Sequence, residues 1–230
     1  MTLTTIKPKH SALGTDIKFE PYPKSAIQDF DNVSLLDKYK EEWRIFRNEA
    51  IDSDPNKDDS DKFRSKKKRA PFYIMADFLL ARLFLANISE TGNTGGESLF
   101  VYNPKEGIYQ PAWDIVPKLV RRLEPSYRSN DISEIICTLS CHCYNKDVYR
   151  GSRYIALGNC IYDRYQGSRV AFSSSIVFTH KIQTNYNLEA ESPLLGDWSF
   201  DSWLNELFNN DDELIHLAWQ TIFAVVSGYA

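Results

Sequence analysis

The chain alternates between segments in which apolar residues recur at helical spacing and segments in which short apolar runs are broken by turn residues. A first stripe predicts a helix over Asn32–Ala50, with Ser34 at its N-terminal cap. This stripe consists of Leu35, Leu36, Tyr39, Trp43 and Phe46. A second stripe predicts a helix that starts at Pro71, a residue that suits the first helical position, and runs to about Ala86.

Turn residues and short apolar runs follow this helix. Glycine residues predict a loop over Asn87–Glu97. Apolar runs on either side of Asn103–Gly107 predict a β-hairpin over Leu99–Gln110. Two further helices are expected, over Trp113–Leu123 and Ser129–Leu139.

Beyond these helices the pattern favours short strands. The run Tyr154–Asp163 predicts a β-element around a tight turn at Gly158 and Asn159, and Ile176–Ile182 predicts another strand. The sequence therefore predicts an α+β fold in which helices surround a short antiparallel hairpin and a second small β-element. A hairpin beside short helices would also fit a winged-helix-like module.

Two helices are predicted at the end of the chain, over Trp198–Phe208 and from Asp211 onward. In the last helix, apolar residues recur at three- and four-residue steps, so one face is expected to need a partner surface. This face consists of Ile215, Trp219, Ile222, Phe223 and Val226. Because the helix ends on apolar rather than polar residues, we expect the chain to be the front part of a longer protein.

Composition divides the chain into three regions. Residues 1–70 contain a proline-containing flexible arm, the first helix and a charged connector, in which the acidic segment 52–61 precedes the basic segment 62–69. Residues 71–195 are expected to form the α+β domain. Residues 196–230 are expected to form C-terminal helices that lead to a further domain.

Overall composition excludes several classes of protein. The chain has 230 residues, of which 43% are apolar and 25% charged, as in ordinary globular proteins. Because the net charge is -4, nucleic-acid binding would require a local basic patch. Without an apolar segment as long as a membrane span and without the apolar core of a signal peptide, a cytoplasmic protein with no membrane partner is expected. Its four cysteines are expected to be reduced.

No catalytic motif is recognisable. The sequence lacks the phosphate loop of nucleotide-binding enzymes, the G-x-S-x-G elbow of hydrolases and the H-E-x-x-H helix of metalloproteases. The adjacent carboxylates Asp58 and Asp59 lie in the connector, and Asp211–Glu213 lie where a helix dipole favours negative charge. We therefore assign no catalytic residue and do not expect this chain itself to be an enzyme.

A cluster of cysteine and histidine raises the alternative of zinc binding. Its members are Cys137, Cys141, His142 and Cys143, with Cys160 as a distant fourth thiol. Since the cluster lies at the end of a predicted helix rather than on converging turns, ordinary reduced cysteines are the favoured interpretation. No metal site is assigned.

Basic residues provide the candidate contacts to DNA. A basic run follows the acidic part of the connector, and two arginines lie in the predicted helix Trp113–Leu123, near Tyr127. Cationic side chains can neutralise phosphates, and neighbouring aromatic rings can stack on bases. The alternative is a solvated connector and an ordinary helix surface. The candidate residues are Lys66, Lys67, Lys68, Arg69, Arg121 and Arg122.

The second half of the chain contains six short motifs in a fixed order. They are Leu157–Asp163, Thr179–Tyr186, Pro193, Phe200–Leu204, Asp211–Ile215 and Gly228–Ala230. Their order resembles the linker region of the primase-helicases of phages, plasmids, mobile islands and poxviruses. The hairpin Leu99–Gln110 is similar to that region as well, so the resemblance covers about residues 71–230.

The resemblance implies a non-catalytic N-terminal accessory domain of a mobile-element DNA replication protein, located upstream of a superfamily III helicase domain in a bacterial or phage-infected cell. Such a domain would bind DNA or support assembly of the helicase ring. Its implied partners are DNA, its own helicase domain and further copies of itself. ATP and magnesium are implied only for the helicase domain. A primase domain with paired aspartates is not recognisable in residues 1–70, so priming is not expected.

A second hypothesis belongs to a different class. The aromatic surface of residues 71–124 and the final helix could instead form a protein-interaction module, which docks a replication partner or an inhibitor without direct contact to DNA.

Overall fold

Residues 27, 29–53, 58, 60, 70–89, 98–190 and 196–227 are described by a computed structural model of the chain. Within these residues the chain forms six α-helices, a four-stranded mixed sheet and a three-stranded antiparallel sheet. The predicted α+β fold is therefore confirmed. No helix in these ranges is long and apolar enough to cross a membrane. The predicted flexible arm and most of the charged connector lie outside the described residues.

The secondary structure elements are numbered in chain order. The helices are α1 (Val33–Asp52), α2 (Phe72–Leu80), α3 (Ala112–Leu123), α4 (Ser129–Cys141), α5 (Phe200–Leu207) and α6 (Asp212–Ser227). The strands are β1 (Leu85–Ile88), β2 (Ser98–Asn103), β3 (Ile108–Pro111), β4 (Asn145–Lys146), β5 (Tyr154–Ala156), β6 (Ile161–Asp163) and β7 (Ser168–Val170).

The first predicted helix is confirmed, but its cap differs from the prediction. Asn32, rather than Ser34, precedes the helix, and its side-chain Oδ1 accepts a hydrogen bond from the backbone N–H of Leu35 at 3.2 Å. The backbone of Asn32 is extended, as a capping residue requires, whereas Ser34 already lies inside the helix. The predicted cap therefore lies two residues after the observed one.

The second helix is shorter than predicted. It ends at Leu80 rather than near Ala86, and the apolar segment that follows forms β1, which pairs with β2. The prediction of a loop from Asn87 is also wrong at its start, because Asn87 and Ile88 belong to β1. A short apolar run fits a helix and a buried strand equally well, so pairing with a distant strand decided the outcome.

The predicted hairpin is confirmed and forms the centre of the larger sheet. The strand order is β3–β2–β1–β4, in which only the β1–β4 pair is parallel. β2 is buried on both faces. Leu99 and Val101 contact the helical core, whereas Phe100 and Tyr102 belong to a second apolar cluster on the opposite face. The sheet therefore separates two layers of the molecule.

Helices α1 to α4 form the layer on one side of this sheet. The predicted stripe of α1 buries Leu36, Tyr39 and Trp43. The Trp43 ring meets the Phe78 ring edge to face, with 5.4 Å between centroids. α1 thus shares one core with helices that follow residue 71. The predicted helices α3 and α4 pack into the same core and are confirmed.

The smaller sheet, β5–β6–β7, lies on the other side and is joined to the larger sheet by an irregular segment. The prediction of a strand over Ile176–Ile182 is wrong, since this segment has no regular structure. Its carbonyls bond to different elements: Phe178 accepts from the Tyr109 N–H at 2.7 Å, and Val177 accepts from the Tyr149 N–H at 2.8 Å. Partners on separate elements prevent a continuous ladder.

Alternate side chains of this segment enter different apolar clusters. Val177 packs with Phe100 and Tyr102 beneath the larger sheet, whereas Ile176 and Phe178 pack against the smaller sheet. Residues 176–178 therefore connect the two sheets through both backbone and side chains.

The predicted β-element around Gly158 and Asn159 is confirmed as β5 and β6. The side chain of Asn159 pairs with the backbone of Tyr186: its Oδ1 accepts from the N–H at 2.8 Å, and its Nδ2 donates to the carbonyl at 3.1 Å. β4 and β7 were not predicted, since strands of two and three mostly polar residues carry no period-two signal.

Both C-terminal helices are confirmed, and the predicted apolar face of α6 is partly covered. Trp219 meets Phe200 of α5 with 5.3 Å between ring centroids. The Arg164 guanidinium lies 4.2 Å from the centre of the Phe223 ring, which places α6 beside the smaller sheet. The predicted face is still exposed in part, since Trp219, Ile222 and Phe223 are 43%, 37% and 40% accessible. A second row of the helix is exposed as well, where Leu214, Leu217 and Val225 are 44%, 56% and 64% accessible.

Candidate functional site

The two predicted DNA-contacting arginines that the structure describes lie in the last turn of α3. Arg121 and Arg122 are exposed, as is Lys118 one turn earlier. The opposite face of the helix sets this orientation because it is buried in the helical core. The buried residues are Ala112, Ile115, Val116, Leu119, Val120 and Leu123. Cations at this end of a helix also interact favourably with the helix dipole.

The other four predicted contacts, Lys66–Arg69, lie outside the described residues.

A cleft of about 360 Å³ lies between α3, the β2–β3 hairpin and the residues that precede α1. Lys118 and Arg122 line it, whereas Arg121 is not among its lining residues. The structure thus places one predicted residue, Arg122, in the cleft together with Lys118 from the preceding turn. Apolar side chains form part of the wall, namely those of Phe30, Pro111, Ile115 and Leu119.

Carboxylates also line the cleft, so it is not a simple phosphate site. Asp31, Glu106 and Asp114 contribute three carboxylates against the two cations. None of these three carboxylates was predicted from the sequence as a site residue. Only the four-residue spacing of Asp114, Lys118 and Arg122 along α3 could have indicated a shared face.

The hairpin side of the cleft is ordered by Asn103, which is 8% exposed. Its Nδ2 donates to Gln110 Oε1 at 2.9 Å, and its Oδ1 accepts from the backbone N–H groups of Lys105 and Glu106 at 3.1 and 3.3 Å. One buried amide therefore fixes both the turn and the side chain of Gln110.

Two ion pairs brace the rim of the cleft. The Lys105 ammonium lies 3.2 Å from Asp29, and the Lys181 ammonium lies 2.8 Å from Glu106. The backbone N–H of Asp31, followed by Lys105, holds the pKa of Asp29 below its usual value against the opposing effect of burial. The side chain of Lys181 is 4% exposed, and its pair with Glu106 ties the hairpin to the irregular segment after β7.

Other polar groups in the cleft remain available to a ligand. Among the described residues, the side chains of Asp31, Asp114, Lys118 and Arg122 make no hydrogen bond or ion pair. The Nε2 group of Gln110 is likewise not engaged there, because the amide is held only through Oε1. The cleft therefore presents two carboxylates, two cations and an amide donor to solvent.

A second group of basic and aromatic residues, around Arg153, makes its contacts within the fold. Arg153 donates to Asp163 from Nε at 3.1 Å and from Nη2 at 2.9 Å, and its guanidinium lies 4.9 Å from the centre of the Tyr154 ring. The side chain of Asp163 is 2% exposed. Because this charge is already paired with Asp163, Arg153 is not free to contact a phosphate.

The cysteine and histidine cluster does not converge. Cys137 and Cys141 are exposed on α4, whereas Cys160 is buried in the turn between β5 and β6. Burial raises the pKa of Cys143 to about 11, which disfavours the thiolate that binds metals. Across the ranges that the structure covers, no three His, Cys, Asp or Glu side chains are grouped so that they could hold a metal ion.

No model of a known protein family matches the sequence, and no curated protein is similar enough to it to count as a match.

Proposed function

We propose that this chain is a non-catalytic, DNA-binding accessory domain of a mobile-element DNA replication protein of the primase-helicase type. The observation that carries the proposal is the exposed cationic end of α3, where Arg121 and Arg122 have no carboxylate partner among the described residues. Unpaired cations at the surface can replace the counterions of a phosphate backbone without first breaking an ion pair. The overall charge of -4 requires such contacts to be local.

Charge reversal at these two arginines tests the proposal. We expect Arg121→Glu/Arg122→Glu to weaken binding of an oligonucleotide by about tenfold or more and to reduce the salt dependence by about two counterions. Fluorescence anisotropy across a salt series measures both quantities. The companion variant Lys67→Glu/Lys68→Glu tests the basic run of the connector in the same way.

A matched control separates the local effect from the change in net charge. Lys38→Glu/Lys40→Glu reverses two exposed cations of α1 and should leave the affinity almost unchanged. Lys38 makes a pair with Glu42 at 3.8 Å, but its side chain is 70% exposed, so little stability depends on it. Equal affinity of wild type and the Arg121→Glu/Arg122→Glu variant would remove α3 from the proposal.

The exposed apolar row of α6 favours a second candidate function, a protein-interaction module that docks another copy of the chain. Leu214, Leu217 and Val225 leave between 44% and 64% of their surfaces accessible. Sedimentation velocity without DNA should then show a mass that rises with concentration, and Leu214→Glu/Leu217→Glu should abolish the rise. Tyr144→Glu/Leu188→Glu is the control, since both residues are more than 80% exposed outside this helix.

A further inference from the structure

The negative and positive side chains that α3 contributes to the cleft lie at different positions along the helix. Asp114 lies in the first turn, and Lys118 and Arg122 lie one and two turns further on. The Cα atoms of Asp114 and Arg122 are therefore about 12 Å apart along the helix axis. Asp31, which interacts electrostatically with Lys105 but makes no ion pair among the described residues, adds a second carboxylate to the cleft. A ligand that spans the cleft needs an anionic group at one end and hydrogen-bond donors at the other.

The remaining surface of the cleft is suited to a flat, partly apolar body. Phe30, Ile115 and Leu119 line it, and the Gln110 amide offers a hydrogen-bond donor in the same cleft. A nucleotide combines these properties, because its phosphate is anionic, its base is flat, and the exocyclic amino groups of its base donate hydrogen bonds.

The size of the cleft indicates an unpaired nucleotide. Its volume of about 360 Å³ is at the lower end of the range of about 300–1,000 Å³ that holds small molecules. A duplex does not enter such a space, and the pairing edge of a base is accessible only when its partner strand is absent.

We propose that the cleft between α3 and the β2–β3 hairpin binds one unpaired nucleotide of a single DNA strand and prefers cytosine to thymine. Lys118 and Arg122 contact the phosphate, and Asp31 and Asp114 accept from the N4 amino group of cytosine. Thymine presents a carbonyl oxygen at the equivalent position, which the carboxylates repel. The inference rests on the proposed DNA-binding function and adds the strand state and the base preference.

Comparison of two pyrimidine oligonucleotides tests the preference, because the bases have nearly the same size. Fluorescence anisotropy with labelled oligo(dC) and oligo(dT) of about 12 nucleotides, at one fixed salt concentration, gives the ratio of dissociation constants. We expect oligo(dC) to bind about fivefold or more tightly than oligo(dT), and tighter than the corresponding duplex.

The variant Asp31→Asn/Asp114→Asn isolates the carboxylates. It should bring the ratio close to one without weakening binding of oligo(dT), because removal of negative charge does not oppose phosphate binding. Asp37→Asn/Asp77→Asn removes two exposed carboxylates elsewhere and should preserve the preference. Thermal unfolding followed by circular dichroism checks that all variants are folded.

The outcomes distinguish the inference from the function on which it rests. Equal binding of the two oligonucleotides by wild type, a preference for duplex, or a preference that persists in Asp31→Asn/Asp114→Asn overturns the inference and leaves the DNA-binding proposal standing. Absence of any DNA binding by wild type overturns both.

Discussion

Asp163 shows how a single residue can both pair a charge and shape a turn. Its carboxylate accepts from Arg153 at 2.9 Å and from the backbone N–H groups of Tyr165 and Gln166 at 2.9 and 3.2 Å. Burial alone raises the pKa of Asp163, but the bonds from Arg153 and from the two N–H groups outweigh it, so the pKa lies below its usual value. The ionised form is therefore the one that stabilises the fold.

Replacement of this carboxylate should reduce stability in a pH-dependent way. We expect Asp163→Asn to lower the free energy of unfolding by about 1–3 kcal/mol near neutral pH, because Arg153 loses its charged partner. The contribution is fully present above the pKa of the unfolded state, about 3.9, and is lost as the pH falls through the lower pKa of the folded state.

Denaturant unfolding at several pH values measures this difference. The difference in free energy of unfolding between wild type and Asp163→Asn should be constant near neutral pH and should become smaller below about pH 4. If this difference does not change down to the lowest pH at which the protein folds, the proposed role of the ionised carboxylate is contradicted.

Among the elements, the β2–β3 hairpin depends on a glycine for two reasons. Gly107 has φ of +71°, a conformation that side chains other than glycine rarely adopt, and a Cβ there would overlap the ring of Phe172. Since Phe172 packs against the apolar cluster of the smaller sheet, the turn of one sheet is fitted to the core of the other.

Two alanine substitutions can separate these effects. Gly167 has a similar φ of +64° but no atom within 4 Å of an added Cβ. We expect Gly167→Ala to cost about 1–2 kcal/mol of unfolding free energy from the backbone alone. Gly107→Ala should cost about 1–3 kcal/mol more, because the Phe172 ring must move. Equal losses for the two variants, measured by denaturant unfolding, would show that the ring contact is unimportant.

The elements also show what sequence patterns can and cannot predict. Helices α1, α3 and α4 each carry a long apolar stripe, and their existence was predicted correctly. The short run Leu85–Ile88 and the segment Ile176–Ile182 carry apolar residues without a decisive period, and both predictions failed there. In each case hydrogen-bond partners distant in sequence determined the structure, and these partners leave no local signal.

At the scale of the whole molecule, only part of the candidate site could be predicted from the sequence. Arg121 and Arg122 were predicted from charge and are exposed as a DNA contact requires. Asp31 and Gln110 join Arg122 only because three separate parts of the chain meet at the cleft. Tertiary packing creates this combination, so a local pattern could not reveal it.

The irregular segment 176–178 has a consequence for how the molecule responds to stress. Its neighbouring side chains belong to the cores of both sheets, and its carbonyls hold backbone groups of β3 and of the chain before β5. Loss of the smaller sheet would pull Val177 out from beneath the larger one and expose Phe100 and Tyr102 to water. The two sheets are therefore expected to unfold together in one cooperative transition rather than one after the other.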